Sequence, residues 1–322
     1  MEPRKYDAVV VGLNVVDILF ELPGHVVEGE KHEVQRLLIQ GGAPAGNAAC
    51  GLASMGWKTG FIGKLGDNLL STISREELRK HDVCTDLLME TTGAQPAVAV
   101  VAIDPSDGER TVYYSLNGYE MLTKTDIPAD TVKNARLVLV DGYETEGALE
   151  TLRIAKEHGI RSVLDIETGD RDLMREAMRL GSDTILPLNG ARKLTGCATP
   201  GDALRELASW TDGLVLITDG TNGSWAHDAG TILHQPMIGG TAVDTTGCGD
   251  AYHAGYASAL LDDLPLKMRM EFAALFAAQV AMQFGGRTNL PTRTSLKNED
   301  LSEISPELRE YILKQGALPC RS

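Results

Sequence analysis

Asp244-Thr245-Thr246-Gly247-Cys248-Gly249-Asp250 runs directly into an apolar helical stretch over residues 251–261. Two glycines flank one small residue, an aspartate closes the run, and a helix begins there. With no bulky side chain in the way, the backbone N–H groups of Gly247, Cys248 and Gly249 can converge on one spot. A helix N-terminus already favours an anion there through its free N–H groups and its dipole. A carboxylate in the same place suits chemistry in which a hydroxyl is held beside a phosphoryl group. Asp250 would orient that hydroxyl and accept its proton while the amides stabilise the charge on the transferring group. A tight turn with Asp250 as helix cap accounts for the same residues, so the run must be read together with other clusters.

Asn14-Val15-Val16-Asp17 follows the first apolar run, where an open α/β sheet places substrate residues. A carboxylate at Asp17 that accepts from two neighbouring hydroxyls discriminates well, because an analogue lacking one leaves it unpaired; a surface aspartate capping a turn is the alternative. Gly41-Gly42-Ala43-Pro44-Ala45-Gly46-Asn47 opens a helix. Its glycines permit close approach of the backbone, and Asn47 offers both donor and acceptor to hydroxyls. Thr218-Asp219-Gly220-Thr221-Asn222-Gly223 follows another buried run; Gly220 and Gly223 let backbone pass near phosphates and the Thr218 hydroxyl can donate, although a plain hairpin turn explains the glycines equally. Arg110 sits on a hairpin, either reaching the site or solvated. Asp165 and Glu167 alternate on one strand and so face one side, which makes them candidates to hold metal-bound water.

Residues 244–255, Asp-Thr-Thr-Gly-Cys-Gly-Asp-Ala-Tyr-His-Ala-Gly, resemble the C-terminal signature of the ribokinase-like (PfkB) sugar kinase family, which usually reads Asp-Thr-x-Gly-Ala-Gly-Asp-x-Phe. Cys248 and Tyr252 are mild departures. The diglycine turn resembles the family's N-terminal signature with one residue more before Asn47. Gly63-Lys64-Leu65-Gly66-Asp67 matches its Gly-x-x-Gly-x turn, read as architecture, and Thr218 to Gly223 resembles its nucleotide-lining Thr-x-Gly-x-x-Gly loop. The small-residue stretch over 273–281 with Gly285-Gly286 is similar to its adenine wall. The likeness spans nearly the whole chain. It implies a kinase moving the γ-phosphoryl of Mg·ATP to a primary hydroxyl of a sugar or sugar-like alcohol, with Asp250 as base and the amides of 247–250 as anion hole. Asn14, Asp17, Gly42, Asn47 and Arg110 would face the sugar; Asn189, Thr218, Gly220, Gly223, Thr245 and Gly247 would face ATP. Mg²⁺ and a monovalent cation complete the implied ligand set. The family's usual Asn-x-x-Glu is missing, because Asn189 is followed by Gly190-Ala191-Arg192. This segment resembles the ketohexokinase-like and sulfofructose-kinase-like branches. The readings that compete are a nucleoside kinase, for which Tyr113, Tyr114 and Tyr119 are the only clustered aromatics, and a non-catalytic sugar or nucleotide sensor.

The elements that must position these residues follow a βα rhythm. Strands are expected over 6–11, 58–62, 136–140, 161–166, 184–186 and 214–218. Helices are expected over 45–55, 69–80, 146–158, 171–180, 202–210, 250–261, 266–284 and 306–314. Such alternation predicts a three-layer α/β fold, a mostly parallel sheet with helices on both faces. Segments 17–22 with 33–39, and 97–103 with 110–116, read instead as antiparallel ribbons. They form a small antiparallel β lid, residues 14–40 and 96–118, inserted in one kinase domain over 1–322; its exposed face suits a homodimer contact. The chain has 322 residues, 43% of them hydrophobic, which suffices for a full core. Its net charge of −15 argues against a nucleic-acid or anionic-membrane partner. No basic segment followed by a long apolar run opens the chain, and no run reaches membrane-spanning length. Five scattered cysteines, Cys50, Cys84, Cys197, Cys248 and Cys320, have no metal-knuckle spacing and fit a reducing cytoplasm. Cys248 is read as a small packed residue where the family has alanine, although a thiol at a helix N-terminus can have a lowered pKa and react.

Overall fold

The chain folds as alternating apolar runs and amphipathic stretches require, with strands buried on both faces and helices laid over them. A computed structural model describes residues 5–24, 26–166 and 169–316. The strands are β1 (Ala8–Val11), β2 (Val15–Glu21), β3 (Leu37–Gly42), β4 (Thr59–Leu65), β5 (Leu88–Glu90), β6 (Ala97–Ile103), β7 (Arg110–Ser115), β8 (Leu137–Asp141), β9 (Arg161–Asp165), β10 (Asp183–Pro187), β11 (Leu214–Thr218), β12 (Ser224–Asp228) and β13 (Thr231–Gln235). A nine-stranded sheet runs in the order β13-β12-β11-β10-β9-β8-β1-β4-β5. It is parallel throughout except for the antiparallel β11–β12–β13 end. The period of two sends alternate residues to opposite faces. Ala8 and Val10 join the layer holding Leu52, Phe61, Tyr256 and Phe276, whereas Val9 and Val11 join that of Leu152, Leu164, Leu186 and Leu204.

The two ribbons form one four-stranded sheet, in the order β3-β2-β6-β7. Each ribbon is antiparallel as expected, with Ile18 opposite Ile39 and Val101 opposite Val112, and the parallel β2–β6 pair joins them, Asp17 opposite Ala99. Asp17, Leu19, Ala99 and Val101 share the inner face, where Leu19, Ala99 and Val101 pack with Phe284. Ile39, Ile18, Val100 and Tyr113 form a row across the outer face, in which Ile39, Val100 and Tyr113 are exposed.

Helices fall within a few residues of their expected bounds. Helix Pro200–Ala208 starts before 202 because Thr199 caps it, its side chain accepting the Asp202 N–H. Sequence periodicity missed the helix Leu188–Thr195, the edge strand β5 and the β12–β13 hairpin; each is too short to show its period. Helix Cys248–Leu261 is buried along residues 251–261 and so has no polar stripe. Helix Pro44–Ser54 packs on it at a contact that admits only small residues: a Cβ on Gly51 would lie 2.6 Å from Ala254 Cβ. That close crossing brings the N-terminal turns of the two helices together. No helix among the described residues is long and apolar enough to cross a membrane.

Candidate active site

Asp250 stands in the first turn of helix Cys248–Leu261, and its Oδ2 accepts a 2.6 Å hydrogen bond from Asn47 Nδ2. The chain reaches that turn through Gly247, which sits at φ 75°, a left-handed conformation glycine takes without penalty. In the turn so formed, the Cys248 N–H bonds Thr245 O at 3.2 Å, whereas the N–H groups of Gly249 and Asp250 have no backbone acceptor among the described residues. The amides of the turn without an acceptor among the described residues are therefore those of Gly247, Gly249 and Asp250, and of those that sequence reasoning included only the Cys248 amide is occupied. Burial pushes the Cys248 thiol up to about 12, so it packs as a neutral thiol despite the helix N-terminus.

Asn14 and Asp17 lie on the loop after β1 and on β2, and both are buried. Asn14 Nδ2 donates to Ser74 Oγ at 2.6 Å and to Ser74 O at 3.2 Å. Burial raises the Asp17 carboxyl from 3.8 to about 7; Arg287 opposes the rise and Asp250 adds to it. Gly42 ends β3 against Asp17, and a Cβ there would lie 2.0 Å from Asp17 Oδ2. Next comes Ala43 at φ 70°, ψ 156°, the N-cap of helix Pro44–Ser54, in a region that is essentially glycine's own.

Arg287, which sequence reasoning missed, lies among these candidate residues. It is 2% exposed, and it donates through Nε to Asn47 Oδ1 at 2.7 Å and through Nη2 to Asn14 Oδ1 at 3.0 Å and Gly42 O at 2.8 Å. The only local signal is its place directly after Gly285-Gly286, and its partners lie 240 and more residues away in sequence.

Arg110, on the lid, is exposed and donates to Thr245 Oγ1 at 3.0 Å; Thr245 in turn donates through N and Oγ1 to Gly108 O. The lid hairpin thus rests on the loop that leads into the anion turn. Asp244, in the same loop, is buried and accepts from Thr246 N at 2.7 Å and Gly285 N at 2.8 Å. Thr218 ends β11, and Asp219 to Gly223 forms the turn into β12, so the hairpin account of its glycines holds: a Cβ on Gly223 would lie 2.1 Å from Gln235 O. This hairpin is fastened to the central helix where Ser224 Oγ meets Tyr252 Oη at 2.8 Å. Asn189 is exposed on helix Leu188–Thr195 and bonds none of these groups. Asp165 is the last residue of β9 and lies buried, 3.3 Å from His253 Nδ1, whose ring also meets Gly249 O at 2.8 Å; burial pulls the His253 imidazole below its ordinary value. Glu167 lies outside the described residues. No group of three or more His, Cys, Asp or Glu side chains among the described residues could hold a metal ion. Lys64, in the Gly-Lys-Leu-Gly turn, pairs with Asp126 at 2.8 Å. Tyr114 shares the inner lid row of Asp17 and Ala99 and meets Tyr143 edge-on at 6.4 Å; Tyr119 is tied to Glu144 by its hydroxyl.

The profile of the pfkB family carbohydrate kinases matches residues 5–293. A bifunctional ribokinase/ribose-5-phosphate isomerase A of Fructilactobacillus sanfranciscensis is 28% identical over 302 residues, 90% of this chain and 55% of that relative, so this chain spans about half of the two-activity protein. A 5-dehydro-2-deoxygluconokinase of Bacillus subtilis is 21% identical across 92% of this chain and 96% of its own length. The structure of Arabidopsis thaliana ribokinase complexed with ribose and ATP superposes with a TM-score of 0.78 at 23% identity, covering 97% of this chain and 99% of that one, which shows a shared fold.

Proposed function

We propose, on the premise that this chain belongs to the pfkB family of carbohydrate kinases and is a sugar phosphotransferase, that it moves the γ-phosphoryl of ATP to a primary hydroxyl of a sugar or sugar-like alcohol bound under the lid. The observation that carries this reading is the 2.6 Å bond from Asn47 Nδ2 to Asp250 Oδ2. It fixes the carboxylate at a helix N-terminus and leaves Oδ1 for an acceptor hydroxyl. Asp250 takes the proton of that hydroxyl as it attacks. Phosphoryl transfer asks mainly for positioning and charge stabilisation, so a well-placed carboxylate serves as the base. The amides of Gly249 and Asp250 and the helix dipole stabilise the anionic group in flight. Asp17, Asn14, Gly42 and Asn47 hold the sugar, Arg110 closes the lid over it, and the turn from Thr218 to Gly223 with Thr245 and Asn189 lies along the nucleotide.

Magnesium supplies charge neutralisation on the phosphates when bound. With Asp165 facing His253, the donor set fits an ion held chiefly by phosphate oxygens and water, as Mg²⁺ prefers. The buried Asp244 carboxylate and the buried Thr246 hydroxyl, which has no partner among the described residues, fit a monovalent cation beside the anion turn. The outer row of the lid, Ile39, Ile18, Val100 and Tyr113, suits a second copy of the chain, and sedimentation of a mutant with Tyr113→Glu and Ile39→Glu tests that pairing.

A nucleoside acceptor is the second reading, favoured by Tyr114 in the same row as Asp17. A coupled assay for ADP release across hexoses, pentoses, sulfosugars and nucleosides decides between them. Asp250→Asn is expected to fold normally and to lose about 10³-fold or more in kcat. Near-normal turnover by that variant refutes the role of Asp250, and failure of every acceptor on the panel to elicit ADP release supports a sensor.

A further inference from the structure

We infer that Arg287 is the positioning residue of the acceptor site: one guanidinium locks Asn14, Gly42 and Asn47 together and ties them to the loop that forms the anion turn. The inference rests on the reading of that site as the sugar site. Arg287 is almost wholly buried, yet no carboxylate lies within ion-pair distance of it among the described residues, and its bonds go to Asn47 Oδ1, Asn14 Oδ1 and Gly42 O. Its Nη1 has no partner among the described residues. Burying a charge against neutral acceptors is unfavourable for stability alone, so its presence points to what it arranges.

What it arranges is the direction of two amides. A guanidinium only donates, and a side-chain amide has one donating and one accepting end. By donating to Oδ1 of Asn47, Arg287 turns the NH₂ toward Asp250, which it meets at 2.6 Å. The opposite orientation would set Asn47 Oδ1 against the carboxylate. Asn14 is oriented the same way, its Oδ1 on Arg287 and its NH₂ on Ser74. Two glycines clear the space. A Cβ on Gly41 would lie 2.0 Å from Nη1, and one on Gly46 would lie 2.5 Å from Nη2. Those glycines make room for Arg287, not for a ligand. The residues just before it hold the anion turn: Gly285 N donates to Asp244 Oδ2 at 2.8 Å, and Gly286 Cα lies 3.0 Å from where a Gly247 Cβ would stand. The segment 285–287 therefore joins the acceptor grips to the phosphoryl cradle.

The test uses Arg287→Gln and Arg287→Lys in the full chain, with the sugar the wild type turns over. In parallel, hydrogen–deuterium exchange is measured over residues 42–50 without sugar. Lysine keeps the charge but lacks the planar fork. Both variants are expected to raise the sugar KM and lower kcat by roughly tenfold or more each, with the ATP KM within about threefold, and to speed exchange over residues 42–50. Sugar KM and kcat within about twofold of wild type in either variant would overturn the inference, as would unchanged exchange in that segment. If the glutamine variant does not fold, the lysine variant decides by the same criteria. A wild type that turns over no acceptor on the panel removes the sugar reading, while the exchange rates still decide the role of Arg287.

Discussion

Gly42 lies so close beneath Asp17 that a methyl group in its place would sit 2.0 Å from the carboxylate oxygen. The glycine is what lets a buried carboxylate stand on β2 beside the end of β3. Gly42→Ala must push Asp17 or β3 aside, at about 1–3 kcal/mol of stability. The sugar KM is expected to rise about tenfold or more with little change in the ATP KM. Steady-state kinetics beside a urea titration check both effects, and a variant matching wild type in both would show that the contact is slack.

Asp17 is expected to give the enzyme an acid limb. Its carboxyl is raised from 3.8 to about 7, chiefly by burial, and the ionised form is the one that accepts from hydroxyls. The kcat/KM for the sugar is expected to fall as pH drops through about 7, the free-enzyme value, and Asp17→Asn flattens that limb at a lower rate. Stability moves the other way. Between 3.8 and about 7 the folded chain holds a proton that the unfolded chain has released, so stability declines as pH rises through this window and levels off above it. Asp17→Asn is therefore expected to match wild type near the lower end and exceed it by about 1–3 kcal/mol above the window, read from urea midpoints at both pH values.

The thiol of Cys248 is pushed up to about 12 by burial, and only its backbone lies in the anion turn. Cys248→Ala is expected to keep kcat within about twofold. Native protein treated with a maleimide at neutral pH leaves Cys248 unlabelled, because the thiolate is the reactive species. Mass spectrometry of the digest checks this, and rapid loss of activity traced to Cys248 would contradict the buried thiol.

Arg110 joins the lid to the anion turn through the 3.0 Å bond to Thr245 Oγ1, in an exposed position. Removing it leaves the core untouched, so Arg110→Ala is expected to unfold within about 2 °C of wild type. The sugar KM rises about three- to tenfold as the lid loosens, equivalent to one hydrogen bond. A thermal melt with sugar and ATP titrations separates the two effects.

Asp250, Asn47, Asp17 and Asn14 are legible in the sequence because each belongs to a short cluster whose residue types carry the chemistry locally. The sheet is legible for a similar reason: strands buried on both faces leave continuous apolar runs. Arg287 was not legible, since it acts on partners 240 and 273 positions away and nothing beside it marks the role. Gly41 and Gly46 were visible as glycines, but what fills the space beside them is a side chain from the far end of the chain. For Cys248 the sequence displays a helix N-terminus and hides the burial that overrides it. The hairpin β12–β13 and the helix Leu188–Thr195 were missed because five to eight residues are too few for periodicity to emerge.

Ala43, held at φ 70°, ψ 156°, reverses the usual order of substitution at a helix entry. Glycine would relieve about 1–3 kcal/mol of backbone strain against about 0.4–1 kcal/mol for a freer unfolded chain, while any β-branched residue would add to the strain. Glycine and alanine are thereby expected to be the best tolerated residues at this position. The turn from Gly41 to Asn47 therefore has its freedom to change shape in the residues on either side of Ala43.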